Sequence, residues 1–298
     1  MTILIAGGTG FIGKALVKHL TEKGYKLHIL SRKEIKSPSP ENIQYFTWDI
    51  RDGYIDPRAF HNVTSIINLA GANIGEKRWS KKRRAEILNS RTQPLNLLYK
   101  YVSENNLRIS TFISSSATGY YGTVTTPEIF KETSPNANDF LGRVCMEWEK
   151  AALQFESLGI NTIILRKGVV MSSDGGMVKR LDPMARLGIN TAVGSGKQYI
   201  PWIGLSDLLR LYEFLLLNPH ISGTYNAVAS QHINMNELSS SLLRFHGKKS
   251  ILPNVPAFII KLIFGSMSQM LLQGSRVSNH KLLSTGFTFE QNTIESSF

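Results

Sequence analysis

The chain opens with Met1-Thr-Ile-Leu-Ile-Ala-Gly-Gly-Thr-Gly-Phe-Ile-Gly-Lys14. The apolar, partly β-branched residues from Thr2 to Ala6 are typical of a buried strand. A glycine-rich segment follows at once, and a helical pattern then runs from Phe11 to Lys23. Strand, glycine turn and helix in this order predict an anion-binding turn, because the free N–H groups and positive dipole of a new helix attract phosphate.

The glycine spacing indicates which ligand the turn holds. Gly8-x-Gly10-x-x-Gly13 fits the GxGxxG dinucleotide fingerprint, and Gly7 with the last two glycines also gives GxxGxxG. In this motif the glycines permit a tight turn, close approach to a pyrophosphate and close helix–strand packing. An ordinary glycine turn is the alternative interpretation. The residues predicted to contact a dinucleotide here are Gly7, Thr9, Gly10, Phe11, Ile12 and Gly13.

The end of the second predicted strand, Tyr25 to Leu30, indicates which dinucleotide is bound. An acidic residue at this point would bind the adenosine ribose hydroxyls, whereas a basic one accommodates a 2′-phosphate. This chain has Ser31 and then Arg32 and Lys33, with no acid until Glu34. We therefore predict Ser31 and Arg32 as cofactor contacts and NADP (NADPH) as the preferred cofactor over NAD. The alternative is that Arg32 is only a surface cation.

Further strands alternate with helices and predict where a ligand lies. The additional strands are predicted at Ile43 to Thr47, Val63 to Leu69, Thr111 to Ser115 and Asn161 to Arg166. This βαβ alternation predicts an α/β fold with a doubly wound parallel sheet, in which ligands bind at the carboxyl ends of the strands. The cofactor contacts expected at these ends are Asp49, Ile50, Leu69, Ala70 and Gly71.

Two predicted helices carry charged residues that bear on the site. The first runs from about Lys81 to Asn105 and contains Arg91, which is either a cofactor contact or a surface cation. The second runs from Phe140 to Leu158 and contains Glu149. We predict Glu149 as a contact of cofactor or substrate, with a surface or helix salt bridge as the alternative.

The pattern changes after Arg166 and predicts a second lobe. Gly168 to Gly204 is glycine-rich and loop-like, and Ser37 to Pro40 also reads as a loop. A helix at Asp207 to Leu217 and a strand at Gly223 to Val228 are expected to return to the sheet. We therefore predict a Rossmann cofactor-binding domain of residues 1–170 with 205–230. Residues 171–204 and 231–298 are predicted to form a smaller C-terminal substrate lobe, with the ligand in the cleft between lobe and sheet.

The composition of the 298 residues, 42% hydrophobic and 19% charged, is that of a soluble globular protein. The single cysteine, Cys145, excludes an internal disulfide and favours a reducing compartment. The seven histidines show no metal-ligand spacing, so we predict no metal. The N-terminus lacks the basic region of a signal peptide, and the apolar stretch Phe258 to Leu272 is too short and too polar to span a bilayer. We expect a cytoplasmic protein without a membrane partner.

The net charge of +12 raises the question of an anionic partner. Six cations fall in the eight residues from Lys77 to Arg84. We interpret this run as the outward, solvated face at a helix start, since no nucleic-acid motif accompanies it. The expected partner is a small-molecule substrate rather than nucleic acid, and a homodimer is one option for the assembly.

Several segments together resemble the extended short-chain dehydrogenase/reductase superfamily, in its nucleotide-sugar epimerase-like branch. They are Gly7–Gly13, Asn68–Gly71, Ser114–Ser116 and Tyr120–Gly122. More narrowly, the chain is similar to the atypical epimerase family proteins related to bacterial YfcH. That similarity rests on Arg78–Trp79, Asn89–Arg91, Ala117–Gly122, Trp148–Glu149, Gln198–Trp202 and the tail from Leu252 to Phe298. The resemblance implies an NAD(P)-binding Rossmann fold with a small C-terminal domain.

The chain departs from the superfamily at the chemistry. Catalytic members carry Tyr-x-x-x-Lys at the start of the helix after the fifth strand, where the lysine lowers the tyrosine pKa and the tyrosine moves the proton. Here Phe140 or Leu141 replaces the tyrosine, and Val144 or Cys145 replaces the lysine. These side chains cannot do that acid–base work. Two functions therefore stay open: an NADP-dependent oxidoreductase or epimerase-like enzyme for a small sugar- or nucleotide-linked molecule, and a non-catalytic NADP-binding regulatory or sensor protein.

If catalysis occurs, the candidate residues follow the fifth strand. We predict Ser115, Tyr120 and Tyr121, because hydroxyls at a strand end suit hydrogen bonding to a substrate oxygen. A tyrosine could serve if a cation such as Lys197 or Arg166 lowered its pKa. The alternative is that both tyrosines are packing at a turn. Cys145 as a nucleophile is a weaker hypothesis, since no matched histidine is visible.

The first prediction concerns cofactor choice. Arg32→Asp is expected to weaken NADPH binding by about ten- to a hundredfold, because a charge-assisted Arg–phosphate bond contributes about 1.5–3 kcal/mol. Titration of the same variant with NADH is the control and should show a much smaller change. Equal losses for the two cofactors would refute a 2′-phosphate contact.

Overall fold

The opening strand lies inside an eight-stranded sheet. The computed structural model describes residues 1–35, 40–250 and 252–298, so the predicted loop at Ser37 to Pro40 lies, apart from its last residue, outside the described residues. In chain order the strands are β1 (Thr2–Ala6), β2 (Lys26–Ser31), β3 (Ile43–Asp49), β4 (Tyr54–Ile55), β5 (Val63–Asn68), β6 (Thr111–Ala117), β7 (Ile129–Phe130), β8 (Asn161–Lys167), β9 (Val169–Ser172), β10 (Tyr199–Ile200), β11 (Trp202–Gly204), β12 (Gly223–Ala227), β13 (Ile233–Asn234) and β14 (Arg276–Val277).

The helices surround this sheet and fill the C-terminal third. They are α1 (Phe11–Glu22), α2 (Lys81–Glu104), α3 (Phe140–Leu153), α4 (Gly176–Arg186), α5 (Leu205–Leu217), α6 (Met235–Phe245), α7 (Ala257–Phe264), α8 (Ser268–Leu272) and α9 (His280–Leu283). Short 3₁₀ turns join several of them.

The strand order is β12-β8-β6-β5-β1-β2-β3-β4. Every neighbouring pair is parallel except β3 with β4, which is antiparallel at the edge. The chain first builds outward from β1 through β2 to β3, and then continues on the other side through β5, β6 and β8. This is the doubly wound parallel sheet that the sequence predicts, and all its parallel strands end at one edge.

The two faces of the sheet are covered by different helices. Helices α1 and α5 pack on one face, where residues such as Leu16 and Leu211 are fully buried with Ile5 of β1. Helices α2 and α3 cover the other face, where Leu95 and Ala152 are buried with the opposite side of the strands. Apolar side chains on both faces explain why the strands read as continuous hydrophobic runs.

The segment Gly168 to Gly204 is not a loop, and that prediction was wrong. It contains β9, α4, β10 and β11. Helix α4 begins at Gly176 with a φ of +69° and carries Pro183 in its interior, two features that usually end a helix. The strands β10 and β11 are two and three residues long, which is too short for an alternating pattern. This segment and α6 form a separate apolar core that includes the fully buried Trp202.

The C-terminal tail contributes to more than one core. Leu282, Phe287 and Phe289 pack into the core under α1 and α5. The carboxylate of Asp207, at the start of α5, accepts hydrogen bonds from the backbone N–H groups of Glu290 and Gln291 at 2.9 and 2.8 Å. The tail is therefore fastened to α5 and the core beneath it, and its last residues, Ile294 and Phe298, join the smaller core. The predicted lobe boundaries stay a prediction.

The basic run Lys77 to Arg84 is not entirely an outward face. Ser80 caps α2, and its Oγ accepts a hydrogen bond from the Arg83 N–H at 3.1 Å. The Arg83 side chain is buried, and its guanidinium lies 2.7 Å from a carboxylate oxygen of Glu86. The prediction of a solvated cation was wrong for Arg83, because its guanidinium turns back onto the preceding loop and donates to the Asn73 carbonyl.

The apolar stretch Phe258 to Leu272 is divided between α7, a 3₁₀ turn and α8. Within the described ranges, no helix combines the length and apolar character needed to cross a membrane.

The stacked pair Phe112 and Phe155 generates a stability prediction. Phe155 is fully buried, and its ring lies 3.9 Å, centroid to centroid, from Phe112 of β6. Phe155→Ala should lower the free energy of unfolding by about 3–5 kcal/mol, since it removes the buried ring and leaves a cavity. Phe258→Ala is the matched control, because Phe258 on α7 is 70% exposed. Denaturant unfolding of both variants measures the difference, and similar midpoints would contradict this packing.

Candidate functional site

The turn between β1 and α1 touches the end of β5. Gly7 has a φ of +84°, and a Cβ placed on it would lie 2.7 Å from the carbonyl carbon of Leu69. A larger residue does not fit at this position. L side chains rarely adopt this positive φ, and a Cβ would collide with the Leu69 backbone. The glycine turn and the strand end Leu69–Gly71, both predicted as cofactor contacts, therefore form one surface.

Helix α1 packs tightly against the same turn. A Cβ on Gly13 would lie 2.2 Å from the carbonyl oxygen of Gly7, so a side chain at this position would move the helix away. Gly10 is the N-cap residue of this helix and provides no side-chain cap, and the first turn contains no acidic residue. Its N-terminal N–H groups are thus accessible to an external anion. A cradle that a Cβ would fill, next to an uncapped helix, fits the pyrophosphate of a dinucleotide.

Phe11 links the glycine turn to the second core. Its ring is 38% exposed, and a Cβ on Gly175 would lie 2.2 Å from a ring carbon. The turn between β9 and α4 therefore lies on the Phe11 ring. Thr9 is exposed and Ile12 is half-buried beside it. The contact of Thr9, Phe11 and Ile12 with a cofactor stays a prediction.

The residues predicted near the adenosine lie at the ends of β2 and β3. The Ser31 hydroxyl donates to the Lys33 carbonyl at 2.7 Å and accepts from the Lys33 N–H at 3.2 Å. This small turn presents Arg32 at the surface. Asp49 is exposed, and its Oδ1 accepts from the Arg51 N–H at 2.7 Å.

Both β2 and β3 end at the ligand edge of the sheet. Ile50 follows β3 there and is half-buried. The roles of Ser31, Arg32, Asp49 and Ile50 toward a cofactor stay predictions.

Arg91 is buried rather than a surface cation, so that alternative was wrong. Its Nη1 donates to the Ile87 carbonyl at 2.9 Å and its Nη2 to the Ala72 carbonyl at 3.1 Å. The guanidinium lies 5.0 Å from the Trp148 ring centroid and directly beside Gly71. Burial lowers the pKa of Arg91 to about 10. A buried cation is thus held at the end of β5.

Glu149 belongs to a buried ion pair. Its Oε2 lies 2.8 Å from Nη2 of Arg166, and its Oε1 accepts from the Ser116 hydroxyl at 2.6 Å. Both charged side chains are nearly inaccessible to water. The alternative of a surface or helix salt bridge was wrong, because the partner comes from β8 under the helix. The Glu149 carboxylate is bonded to Arg166 and Ser116 inside the protein. A direct contact of Glu149 with cofactor or substrate stays a prediction.

The two candidate tyrosines have different surroundings. The Tyr121 hydroxyl donates to Oδ1 of Asn226 at 2.7 Å and accepts from Nη1 of Arg166 at 2.9 Å. Burial raises the pKa of Tyr121 to about 12, because it outweighs the lowering by Arg166, so the condition set for Tyr121 as an acid–base group is not met. The Arg166 guanidinium lies 3.3 Å from the Tyr120 ring centroid, and Tyr120 is half-buried. Lys197, the other cation considered, is exposed in the turn before β10.

Helix α3 carries apolar residues where the resemblance places a catalytic pair. Leu141, Val144 and Cys145 are buried, and Phe140 packs edge-on against Trp79 with centroids 5.0 Å apart. Burial raises the pKa of the Cys145 thiol to about 12. The thiol is therefore a packing group and not a ready nucleophile.

Sequence reasoning missed Lys167, the last residue of β8. Its Nζ donates to Oγ of Ser115 at 2.9 Å, and that oxygen lies 3.0 Å from the hydroxyl of Tyr212 on α5. Burial, followed by the charge of Arg91, lowers the pKa of Lys167 to about 7. The sixth strand was predicted to end one residue too early, at Arg166. A lysine at the carboxyl end of a parallel strand was the signal that could have identified it.

Among the described ranges, no three or more His, Cys, Asp or Glu side chains are grouped so that they could hold a metal ion.

Comparisons with known proteins agree with this geometry. Residues 3–228 match the model of the NAD dependent epimerase/dehydratase family, and residues 255–298 match a domain of unknown function, DUF1731. The chain is 31% identical to the epimerase family protein Mb2239 of Mycobacterium bovis, over 98% of this chain and 94% of that protein. It is 30% identical to the epimerase family protein YfhF of Bacillus subtilis, over 99% of this chain and 96% of that protein.

A solved structure is similar over the whole chain. It is the crystal structure of the human epimerase family protein SDR39U1 (isoform 2) with NADPH. The TM-score is 0.87 at 28% identity, covering 100% of this chain and 97% of that one. The fold and both parts of the chain therefore match a single known architecture.

The buried ion pair generates a second stability prediction. Glu149→Gln should cost about 3–5 kcal/mol of unfolding free energy, because it leaves the Arg166 guanidinium buried without its counter-charge. Glu104→Gln makes the same chemical change in an exposed pair with Lys100 at 3.8 Å and should leave the midpoint nearly unchanged. Thermal and urea unfolding measure both. Equal losses of unfolding free energy in the two variants would show that the buried Glu149–Arg166 pair stabilises the fold no more than the exposed pair does.

Proposed function

Because the chain belongs to the NAD dependent epimerase/dehydratase family, we propose that it is an NADP-dependent oxidoreductase or epimerase-like enzyme. Its substrate class is a small sugar- or nucleotide-linked molecule. The observation that carries the proposal is the glycine cradle at Gly7 and Gly13, which meets the end of β5 beside an uncapped helix. Within the family, we place the chain with the atypical group around bacterial YfcH.

The preference for NADP rests on the end of β2. Arg32 is exposed there, after a turn shaped by Ser31, and Lys33 follows it. Two cations and no acid at this position favour a 2′-phosphate over free ribose hydroxyls. The human relative named above was crystallised with NADPH, which agrees with this preference.

The bound cofactor would supply hydride transfer, and the chain supplies binding and charge. The uncapped start of α1 would hold the pyrophosphate, and Arg91 fixes a positive charge at the end of β5. The opening between the sheet edge and the second core, bordered by Phe11, would receive the substrate. Ser115, two residues before the end of β6, is the candidate hydroxyl for hydrogen bonding to a substrate oxygen.

A second candidate function is supported by the packing of α3. The helix positions expected to carry an acid–base pair are apolar, and Leu141, Val144 and Cys145 among them are buried. The Tyr121 hydroxyl donates a hydrogen bond to Asn226 inside the protein. A non-catalytic NADP-binding regulatory protein would need only the cofactor half of the site. Its minimum requirement is a binding partner whose capture changes between the NADPH-bound and cofactor-free states.

The direct test is to measure NADPH binding and then cofactor oxidation with a panel of carbonyl compounds and nucleotide sugars. We expect saturable NADPH binding and turnover with at least one compound. Gly10→Ala is not a suitable null variant, because a Cβ there meets only Gly7 at 3.4 Å. Gly13→Val should abolish binding, whereas Gly75→Ala, whose Cβ would meet nothing closer than 3.7 Å, should retain it.

The turnover panel, followed by partner capture, separates the enzyme function from the regulatory function. Tight NADPH binding without turnover on the whole panel would favour the regulatory function. Identical partner sets with and without NADPH would then exclude that alternative.

A further inference from the structure

We propose that Lys167 is the acid–base residue of this protein, with Ser115 as the residue that positions its amino group. This inference rests on the proposed hydride-transfer function. It places the group that moves the proton on the end of a strand rather than on the helix where the resemblance expects a catalytic tyrosine.

Lys167 is held at the correct edge of the sheet for this role. Strand β8 pairs in parallel with β6, and Lys167 is in register with Ala117, the last residue of β6. The carboxyl ends of these strands form the ligand edge of a doubly wound sheet. Lys167 is partly exposed at this edge, whereas the preceding residues of β8 are buried.

The amino group has a defined position. Its Nζ donates to the Ser115 Oγ at 2.9 Å, and Ser115 is fixed in turn by the Tyr212 hydroxyl at 3.0 Å. Both hydroxyl residues are fully or nearly fully buried. Burial raises the pKa of Tyr212 far above its usual range, so that hydroxyl stays neutral. The chain Tyr212–Ser115–Lys167 thus ends on the one member that reaches the solvent-accessible edge.

The electrostatic surroundings favour a neutral amine near neutral pH. Arg91 from α2 is the charged side chain that acts on Lys167, and it disfavours the ammonium. Cys145 from α3 faces Arg91 and carries no charge, because its pKa is raised. Arg166, the neighbour on β8, points to the opposite face, where Glu149 neutralises it. On the other side, Lys167 is in register with Ala227 of β12, which has no titratable group.

A pKa close to 7 is what an acid–base catalyst requires. A bound NADP⁺ would accept the hydride of the substrate C–H bond in the oxidation direction, and a bound NADPH would return it in the reduction direction. In oxidation, the Lys167 amine would take the proton of the substrate O–H bond as the carbonyl forms. In reduction, the Lys167 ammonium would give that proton back to the carbonyl oxygen. No further oxidant or proton source is needed.

The sign of the pH dependence follows from this assignment. Oxidation requires the neutral amine, so its rate should rise as the pH increases through about 7. Reduction requires the ammonium, so its rate should fall over the same interval. An ordinary lysine would give a midpoint near pH 10 instead, about 1000-fold lower in proton concentration.

The test begins with cofactor-free protein and does not depend on turnover. Acetic anhydride labelling across pH 5–11, read by peptide mass spectrometry, measures the midpoint of each amine. Lys167 should show a midpoint near pH 7, whereas an unperturbed lysine in a model peptide has a pKa of about 10. The exposed Lys197 is followed in the same digest as the internal reference. Ser115→Ala should lower the Lys167 midpoint, because the ammonium loses its hydrogen-bond acceptor. A Lys167 midpoint like that of Lys197 would overturn the proposal.

Kinetics then distinguish failure of this inference from failure of the proposed function. Lys167→Met should lower kcat by at least about 100-fold, and Lys167→Arg should do the same because arginine does not deprotonate. Lys100→Met replaces an exposed lysine of α2, so it is the control and should keep wild-type kcat. Thermal unfolding and NADPH affinity confirm that each variant is folded. Wild-type turnover that persists in Lys167→Met overturns the role of the lysine alone. Absence of turnover in the wild-type protein overturns the enzyme function, and with it the catalytic role of Lys167, whatever the labelling midpoint.

Discussion

The contact between the Gly7 turn, the end of β5 and the start of α1 is the constraint on which the cofactor half of the structure depends. A Cβ at Gly7 or Gly13 would come within 2.7 or 2.2 Å of backbone atoms, so both positions are restricted to glycine. The contact fixes the distance between helix and sheet and leaves the helix N-terminus uncapped. The close contact that packs the helix against the sheet also leaves free N–H groups at the strand ends, where an anion can bind. The same glycines therefore serve both packing and binding.

A second constraint, the buried pair of Glu149 and Arg166, organises the space between α3 and the sheet. Its members also hold the Ser116 hydroxyl, the Tyr121 hydroxyl and the face of the Tyr120 ring. A buried charge must be paired, and each partner here supplies hydrogen bonds to the other's neighbours. The tyrosines after β6 are consequently tied to the protein interior. Tyr121 in particular gains structural contacts and loses acid strength.

The sequence alone predicts the sheet well, because its strands are continuous apolar runs ended by glycine or polar clusters. Strand β1 is predicted to the residue, and the parallel order follows from βαβ alternation. The second core could not be predicted in the same way. Its strands are only two to four residues long, and α4 contains the breakers Gly176 and Pro183. Local patterns fail where tertiary packing alone stabilises an element.

The site was predicted only in part, for a related reason. Glycine spacing and the Arg32 position are local signals, so candidate binding residues could be named from the chain. Burial is not a local signal, and the sequence therefore could not show that Arg91 lies inside, that Glu149 pairs with Arg166, or that burial outweighs the cation at Tyr121.

The packing of α3 explains why an acid–base group would lie on a strand in this protein. The helix face that would carry a lysine contacts the turn after β6, where a Cβ on Gly119 would already lie 3.3 Å from Leu141. Glu149, four residues after Cys145 on the same helix, pairs with Arg166, so a second cation at that position would compete for the carboxylate. The end of β8 has neither restriction. Hydrogen bonds to β6 and β12 on both sides fix the backbone of Lys167, and Ser115 fixes its Nζ. A strand end held in this way can orient an amine as firmly as a helix, and it does so at the edge where the ligand must lie.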